Sequence, residues 1–258
     1  MDELSKMNPT GRFTGLADVY AQHRPDYPTE AIDAIMKQCG LGQNSLLVDV
    51  GCGTGTSSLL FARRGVAVVG IEPNEDMRRR AAAVAIPESC PTPQYRQGRA
   101  EATGLADRSA DAVLAAQAFH WFEPDKALRE FHRLLKAGGW VILMWNERDE
   151  SDGFTAAFGT VMRWSKEAER LEDLRRQAGA PLLISPLFRG SHRLSFGHEQ
   201  VLDEDGTVGR AVSASYAPTA PDEVEAFQEA LRRLFHKHQS QGRVTLRYTT
   251  SVYLGQRA

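Results

Sequence analysis

Five short strand-like runs alternate with helix-like stretches between Leu46 and Asn146, and this alternation restricts the fold more than anything else in the 258-residue chain. The runs are LLVDV (46–50), VAVVGI (66–71), QYRQG (94–98), DAVLAAQ (111–117) and WVILMWN (140–146). Between them lie SSLLFARR (57–64), NEDMRRRAAAVA (74–85) and PDKALREFHRLLKAGG (124–139), the last predicted as one helix with a proline in its first turn and Gly138-Gly139 at its end. Continuous apolar strands separated by helices predict a parallel sheet covered on both faces. Ligands of such sheets sit beyond the carboxyl ends of the strands. The loop VDVGCGTGTSS (48–58), Glu72, Gln117 and Asn146 therefore share one edge.

The glycine loop narrows the ligand. A triphosphate loop needs Lys followed by Ser or Thr after its last glycine, whereas Gly55 is followed by Thr56, Ser57 and Ser58. A dinucleotide loop needs G-x-G-x-x-G, and here Thr56 occupies the third glycine position. Asp49, inside the end of the first strand, would repel phosphate. It would gain a charge-assisted hydrogen bond from a ligand carrying an ammonium group. Glu72, at the end of the second strand, suits two ribose hydroxyls.

VDVGCGTGTSS followed by VVGIEPNEDM resembles the first two motifs of class I S-adenosylmethionine-dependent methyltransferases. GRAEATGLADRSADAV (98–113) resembles their adenine-side loop and fourth strand, and LLKAGGWVILMW (134–145) their entry to the fifth strand. The likeness is strongest over 46–146. More narrowly, YAQHRPDYP, AQAFHWF and WNERD resemble the small-molecule subgroup around trans-aconitate methyltransferases. The resemblance implies an α/β, Rossmann-like fold: a seven-stranded, mostly parallel sheet with helices on both faces and an antiparallel last strand. It implies S-adenosyl-L-methionine as cofactor, with S-adenosyl-L-homocysteine as product. Asp49, Gly51, Gly53 and Gly55 would line its methionine and ribose side. Glu72 would hold the ribose, Met77 would lie against the adenine, Ala100 and Glu101 would meet the adenine amine, and Gln117 would lie near the sulfonium. Arg99 stands where many relatives carry Asp. Tyr20 and Arg24 are candidates for the cofactor carboxylate.

The expected reaction is in-line methyl transfer to a small molecule, with oxygen of a carboxylate or hydroxyl favoured over nitrogen or carbon. His120 is the candidate catalytic base, since an imidazole titrates where a hydroxyl or amine proton must be taken. A carboxylate acceptor needs no base, and Arg24, Arg148 or His120 would then clamp an anion. Tyr20, Phe119, Trp121, Phe122 and Trp145 are aromatic candidates for the pocket wall, against an ordinary role in the core. Two readings stand beside this one: a nucleotide-linked oxidoreductase, and a module that binds the cofactor without turnover.

Composition removes other classes. A net charge of −2 gives no general attraction to nucleic acid or anionic membrane. The cluster MRRRAA at Arg78–Arg80 reads as a solvated helix face. Three cysteines without a CxxC pair fit neither a disulfide framework nor a structural zinc site, so no metal is expected. No run approaches the length of a membrane span, and the opening MDELSKMNPT is the wrong pattern for a secretory signal, so a cytoplasmic monomer or homodimer is expected.

The expected division is an N-terminal helical cap (1–45), a cofactor-binding core (46–146), an insertion over the acceptor pocket (147–242) and a terminal strand (243–258). Within the insertion, helices are expected at 154–178 and 221–239 and a strand near SHRLSF. The stretch GRAVSASYAP would bring Ser213, Ser215 and Tyr216 together as possible hydroxyl donors to an acceptor. RVTLRYTTSVYL alternates as a half-buried strand at or near the sheet edge.

Overall fold

The computed structural model describes residues 24–258. Seven strands form one sheet: β1 (Leu46–Val50), β2 (Ala67–Ile71), β3 (Gln94–Arg96), β4 (Ala110–Ala116), β5 (Leu135–Arg148), β6 (Phe188–Leu202) and β7 (Val244–Arg257). Their spatial order is β3-β2-β1-β4-β5-β7-β6. The first five pair in parallel, and β7 runs antiparallel to both β5 and β6. The order reverses between β1 and β4, which opens a crevice at their carboxyl ends.

The apolar runs are continuous because consecutive residues serve opposite faces. Val48, Val113 and Val141 enter one core with Phe119, Phe131 and Trp145. Their neighbours Leu47, Leu114 and Ile142 enter the other with Ile32, Ile35 and Phe61. Helices α1 (Thr29–Cys39) and α2 (Thr56–Ala62) supply the second face. Helix α3 (Glu75–Ala82) follows β2, and α4 (Pro124–Leu134) covers the first face, burying Ala127, Leu128, Phe131 and Leu134.

One boundary departs from the sequence reading. Helix α4 stops at Leu134, and Leu135 already pairs with Ala110 as the first residue of β5. Gly138, at φ 75°, turns the bulge that follows and accepts a bond from the Gln256 amide. Burial of Leu135 against the sheet therefore ends the helix, and the two glycines shape a strand irregularity.

Between β5 and β7 the chain forms α5 (Gly153–Met162), α6 (Lys166–Gln177), α7 (Ala180–Ile184), β6, α8 (Glu204–Val212) and α9 (Pro221–His238). Ser165 caps α6 through the Ala168 amide, which splits the expected 154–178 helix in two. Phe154, Phe158, Leu231 and Phe235 pack with Val244, Leu246 and Tyr248 of β7 into a third core. β6 joins the sheet outside β7, so the last strand lies one place inside the edge. Among the described residues, no helix is long and apolar enough to cross a membrane.

Candidate functional site

The loops after β1, β2 and β4 meet at the crevice. Gly51, Gly53 and Gly55 all have positive φ, a conformation that L side chains resist. They differ in what surrounds them. A Cβ on Gly51 would lie 2.8 Å from the Ala118 Cβ and 3.0 Å from the Phe122 ring, and one on Gly55 would collide with the Tyr95 hydroxyl. Gly53 faces open space, and its amide donates to Glu72 at 3.0 Å. Two of the glycines thus serve packing within the protein, and the third bends the loop beside a vacant volume.

Asp49, the second-last residue of β1, is fully buried. Its Oδ2 accepts hydrogen bonds from the Ser57 and Ser58 hydroxyls at 2.7 and 2.6 Å, while its Oδ1 is buried without a partner. Burial dominates over the serine bonds and pushes the carboxyl up to about 6. Glu72 accepts from the Asn74 and Gly53 amides, one on each oxygen, leaving each with acceptor capacity. Burial raises its pKa too, against those amides and Arg78, and Asp49 adds repulsion. Two such acids, one with an orphaned oxygen, fit a ligand that brings positive charge and hydroxyl donors. These are the features of a sulfonium nucleoside with an amino-acid tail.

The remaining expected contacts separate. Met77 and Ala100 are buried, Met77 in α3, which Asn74 caps. The Glu101 carboxylate accepts from the Glu123 amide at 2.9 Å and so fixes the start of α4. Gln117 has φ 55° at the end of β4, a strained conformation for a non-glycine residue, held by its amide bond to the Met144 carbonyl at 2.7 Å. Tyr20 lies outside the described residues.

His120 sits in a 3-10 turn (Phe119–Trp121) directly after β4. The Trp145 indole donates to its Nδ1 at 3.3 Å, which places the proton of the neutral ring on Nε2. Burial, then the positive charges of Arg175 and Arg24, pull its pKa down to about 3. Arg24 donates to the Ser213 carbonyl at 3.0 Å, and Asn146 donates to the Asp26 carbonyl at 3.1 Å, so the end of β5 and the 204–213 region grip the chain at 24–26. The Ser213 hydroxyl donates to Arg210 within its own helix end, and the Tyr216 hydroxyl donates to Glu172. Those two hydroxyls have protein partners, so their expected role as donors to an acceptor is withdrawn.

Arg148 is also committed: both Glu172 oxygens accept from its guanidinium, at 2.5 and 2.6 Å. Sequence reasoning missed Glu172 and Arg175. They lie one turn apart in α6, in a stretch so rich in charge that nothing in the sequence marks its inner face.

Similarity to known proteins follows the same map. A family model for a methyltransferase domain matches residues 48–143. An uncharacterized methyltransferase of Mycobacterium tuberculosis is 30% identical over 227 residues, covering 88% of this chain and 86% of the relative. An uncharacterized methyltransferase-like protein of Schizosaccharomyces pombe is 31% identical over 157 residues, 60% of this chain and 59% of its own length. A solved structure described as a type II methyltransferase from Anaeromyxobacter dehalogenans is 26% identical, with a TM-score of 0.60 over 91% of this chain and 97% of that one. One described as a methyltransferase from an antibiotic biosynthesis pathway of Anabaena variabilis shares the fold at 21% identity, with a TM-score of 0.62 over 89% and 98% of the two chains.

Proposed function

Since the chain belongs to the class I S-adenosylmethionine-dependent methyltransferases, we propose that it methylates an oxygen of a small molecule, and a carboxylate in preference to a hydroxyl. Membership of this family displaces the oxidoreductase reading. When bound, the cofactor supplies an electrophilic methyl group on a sulfonium, which an acceptor lone pair displaces in line. Asp49, Glu72 and the Gly53 turn would hold it, with Gln117 at the β4 end of the crevice. The chain's own task is alignment and exclusion of water.

The observation that carries the carboxylate reading is that the Trp145 indole occupies Nδ1 of His120, so that Nε2–H can donate but not accept a proton. A hydroxyl or ammonium acceptor must lose a proton, and an imidazole held near 3 is too weak a base to take it at neutral pH. The neighbouring guanidiniums of Arg175 and Arg24 also disfavour a cationic acceptor. A carboxylate arrives already ionised and gains from both charges, and His120 Nε2–H can donate to it. His120 is then a positioning donor, in place of the base expected from sequence.

A methyl-transfer screen against carboxylic acids, phenols and amines tests this. Acids are expected to be the best acceptors, with kcat/KM for the acid, measured at saturating cofactor, flat between about pH 6 and 8. His120→Ala should lower kcat/KM about tenfold without introducing a pH-dependent limb. A basic limb near neutrality in the wild type that disappears in His120→Ala would restore the base role. Cofactor binding is tested separately. Glu72→Ala should weaken S-adenosylhomocysteine binding by about 1–3 kcal/mol in calorimetry, the scale of hydrogen bonds to a charged group. Unchanged affinity would remove Glu72 from the site.

A further inference from the structure

A groove of about 1040 Å³ lies between α4, the end of α6 and α7. Phe119, Phe122, Leu128, Leu174, Pro181 and Ile184 supply apolar walls. The charged residues lining it, Asp125, Arg129 and Arg170, are all solvent-exposed. Ile184 is 83% exposed and Leu174 37%, a poor arrangement for two large aliphatic side chains unless something covers them. The volume and the apolar lining with few polar groups are those of a small-molecule site.

The groove is continuous with the methyl-transfer site. His120 lines it, and so does Phe122, whose ring lies where a Cβ on Gly51 would fall. One aromatic ring therefore separates the groove from the glycine loop. Arg175 shares the helical turn of Leu174, Gln177 and Ala178, which line the groove, and its Nε is buried without a hydrogen-bond partner. Arg175 does not itself line the groove, but its charge reaches His120, which does. A cation beside that end of an apolar channel complements an amphiphilic anion.

We propose that the groove receives the apolar body of the methyl acceptor, an acid with an extended hydrocarbon portion, while Arg175 selects its carboxylate. This rests on the carboxylate reading above. Leu174 and Ile184 set how much hydrocarbon is covered, and each methylene buried there should favour the longer acid by about fourfold. Arg175 acts as a specificity residue by charge and hydrogen bonding.

The test compares kcat/KM for butanoate and dodecanoate in the wild type, Leu174→Glu, Arg175→Gln and Arg175→Lys, with S-adenosylhomocysteine affinity measured calorimetrically for each. The wild type should prefer dodecanoate by at least about a hundredfold. Leu174→Glu should erase at least about tenfold of that preference, slowing dodecanoate far more than butanoate, with S-adenosylhomocysteine binding kept. Arg175→Gln should raise KM for both acids about tenfold, with partial recovery in Arg175→Lys. Equal use of the two acids by the wild type would overturn the proposal, as would equal slowing of both by Leu174→Glu. The same holds if Leu174→Glu lowers thermal stability without altering selectivity, which would mark the groove as a seat for the protein's own chain. If no acid is methylated but alkylphenols or alkylamines are, the carboxylate reading and the Arg175 role fall. A chain-length preference among those acceptors, abolished by Leu174→Glu, would then support the groove alone.

Discussion

Asp49→Asn is expected to make the protein without cofactor more stable and its cofactor affinity much lower. The carboxyl is fully buried, with one oxygen lacking any partner, and it titrates at about 6 against an ordinary value of 3.8. Because the raised group is an acid, the folded state holds its proton more tightly than the unfolded state does. Its contribution is therefore greatest below about pH 4, declines as pH rises through about 6, and stays lost above that. A shift of about two units corresponds to about 3 kcal/mol forgone at neutral pH. Asn keeps an oxygen for the Ser57 and Ser58 hydroxyls and carries no charge to desolvate. The melting temperature of the unliganded variant should rise by roughly 5–10 °C at pH 7.5, with little gain near pH 4. The cofactor's positive charge is what Asp49 would answer, so S-adenosylhomocysteine, which keeps the ammonium, should bind roughly 10–100-fold more weakly. In the wild type that affinity should climb about tenfold between pH 5 and 7, as the carboxyl loses its proton, and in the variant it should be flat. Thermal melts and calorimetry across this range check both halves. A destabilised unliganded variant would make Asp49 a structural residue and end its role as a ligand-facing one.

Four of the five parallel strands, β1, β2, β4 and β5, were legible because each enters two cores, and a double-sided strand needs a continuous apolar run; the short β3 enters neither. In the outer half, RVTLRYTTSVYL and a strand near SHRLSF were legible, but the extent of β6 was not. β6 carries few large apolar residues, Leu194 and Phe196 among them, within a polar sequence, and its length is decided by hydrogen bonding to β7, a partner distant in sequence. The glycine pair at 138–139 looked like a helix stop because a helix end and a strand bulge both need positive φ; burial of Leu135 chose between them. The crevice residues Asp49, Glu72, Gln117 and His120 were legible from strand ends alone, since topology fixes where strands end. Their states were not. The weak basicity of His120 comes from burial and from the charges of Arg175 and Arg24, in two other parts of the chain. Glu101 also accepts a backbone amide 22 residues away, which no local pattern announces.

Breaking the Arg148–Glu172 pair should be the most destabilising polar change in the described structure. Both side chains are almost wholly buried, at 4% and 2% exposure, and Glu172 also accepts from the Tyr216 hydroxyl at 2.7 Å. Burial alone would raise the Glu172 carboxyl, but Arg148, Tyr216 and Arg175 outweigh it and hold it below the ordinary value. This stabilisation is present above the unfolded pKa and is lost as pH falls through the lower folded one. Glu172→Gln leaves the Arg148 guanidinium in a low-dielectric interior, with Glu150 as its nearest remaining acid at 3.6 Å. The cost should be about 3–5 kcal/mol, and a fall in melting temperature of roughly 8–15 °C. The double variant Arg148→Met/Glu172→Leu should recover most of that loss, because two apolar groups incur no desolvation. Its activity decides what the pair is for. Glu172 ties α6 to β5, and one turn further along α6 sits Arg175. If the ion pair serves to hold Arg175 in place, the double variant should fold and bind S-adenosylhomocysteine normally, yet show a several-fold higher KM for acids. Normal melting together with normal KM would reduce the pair to one of several interchangeable ways of filling the same space.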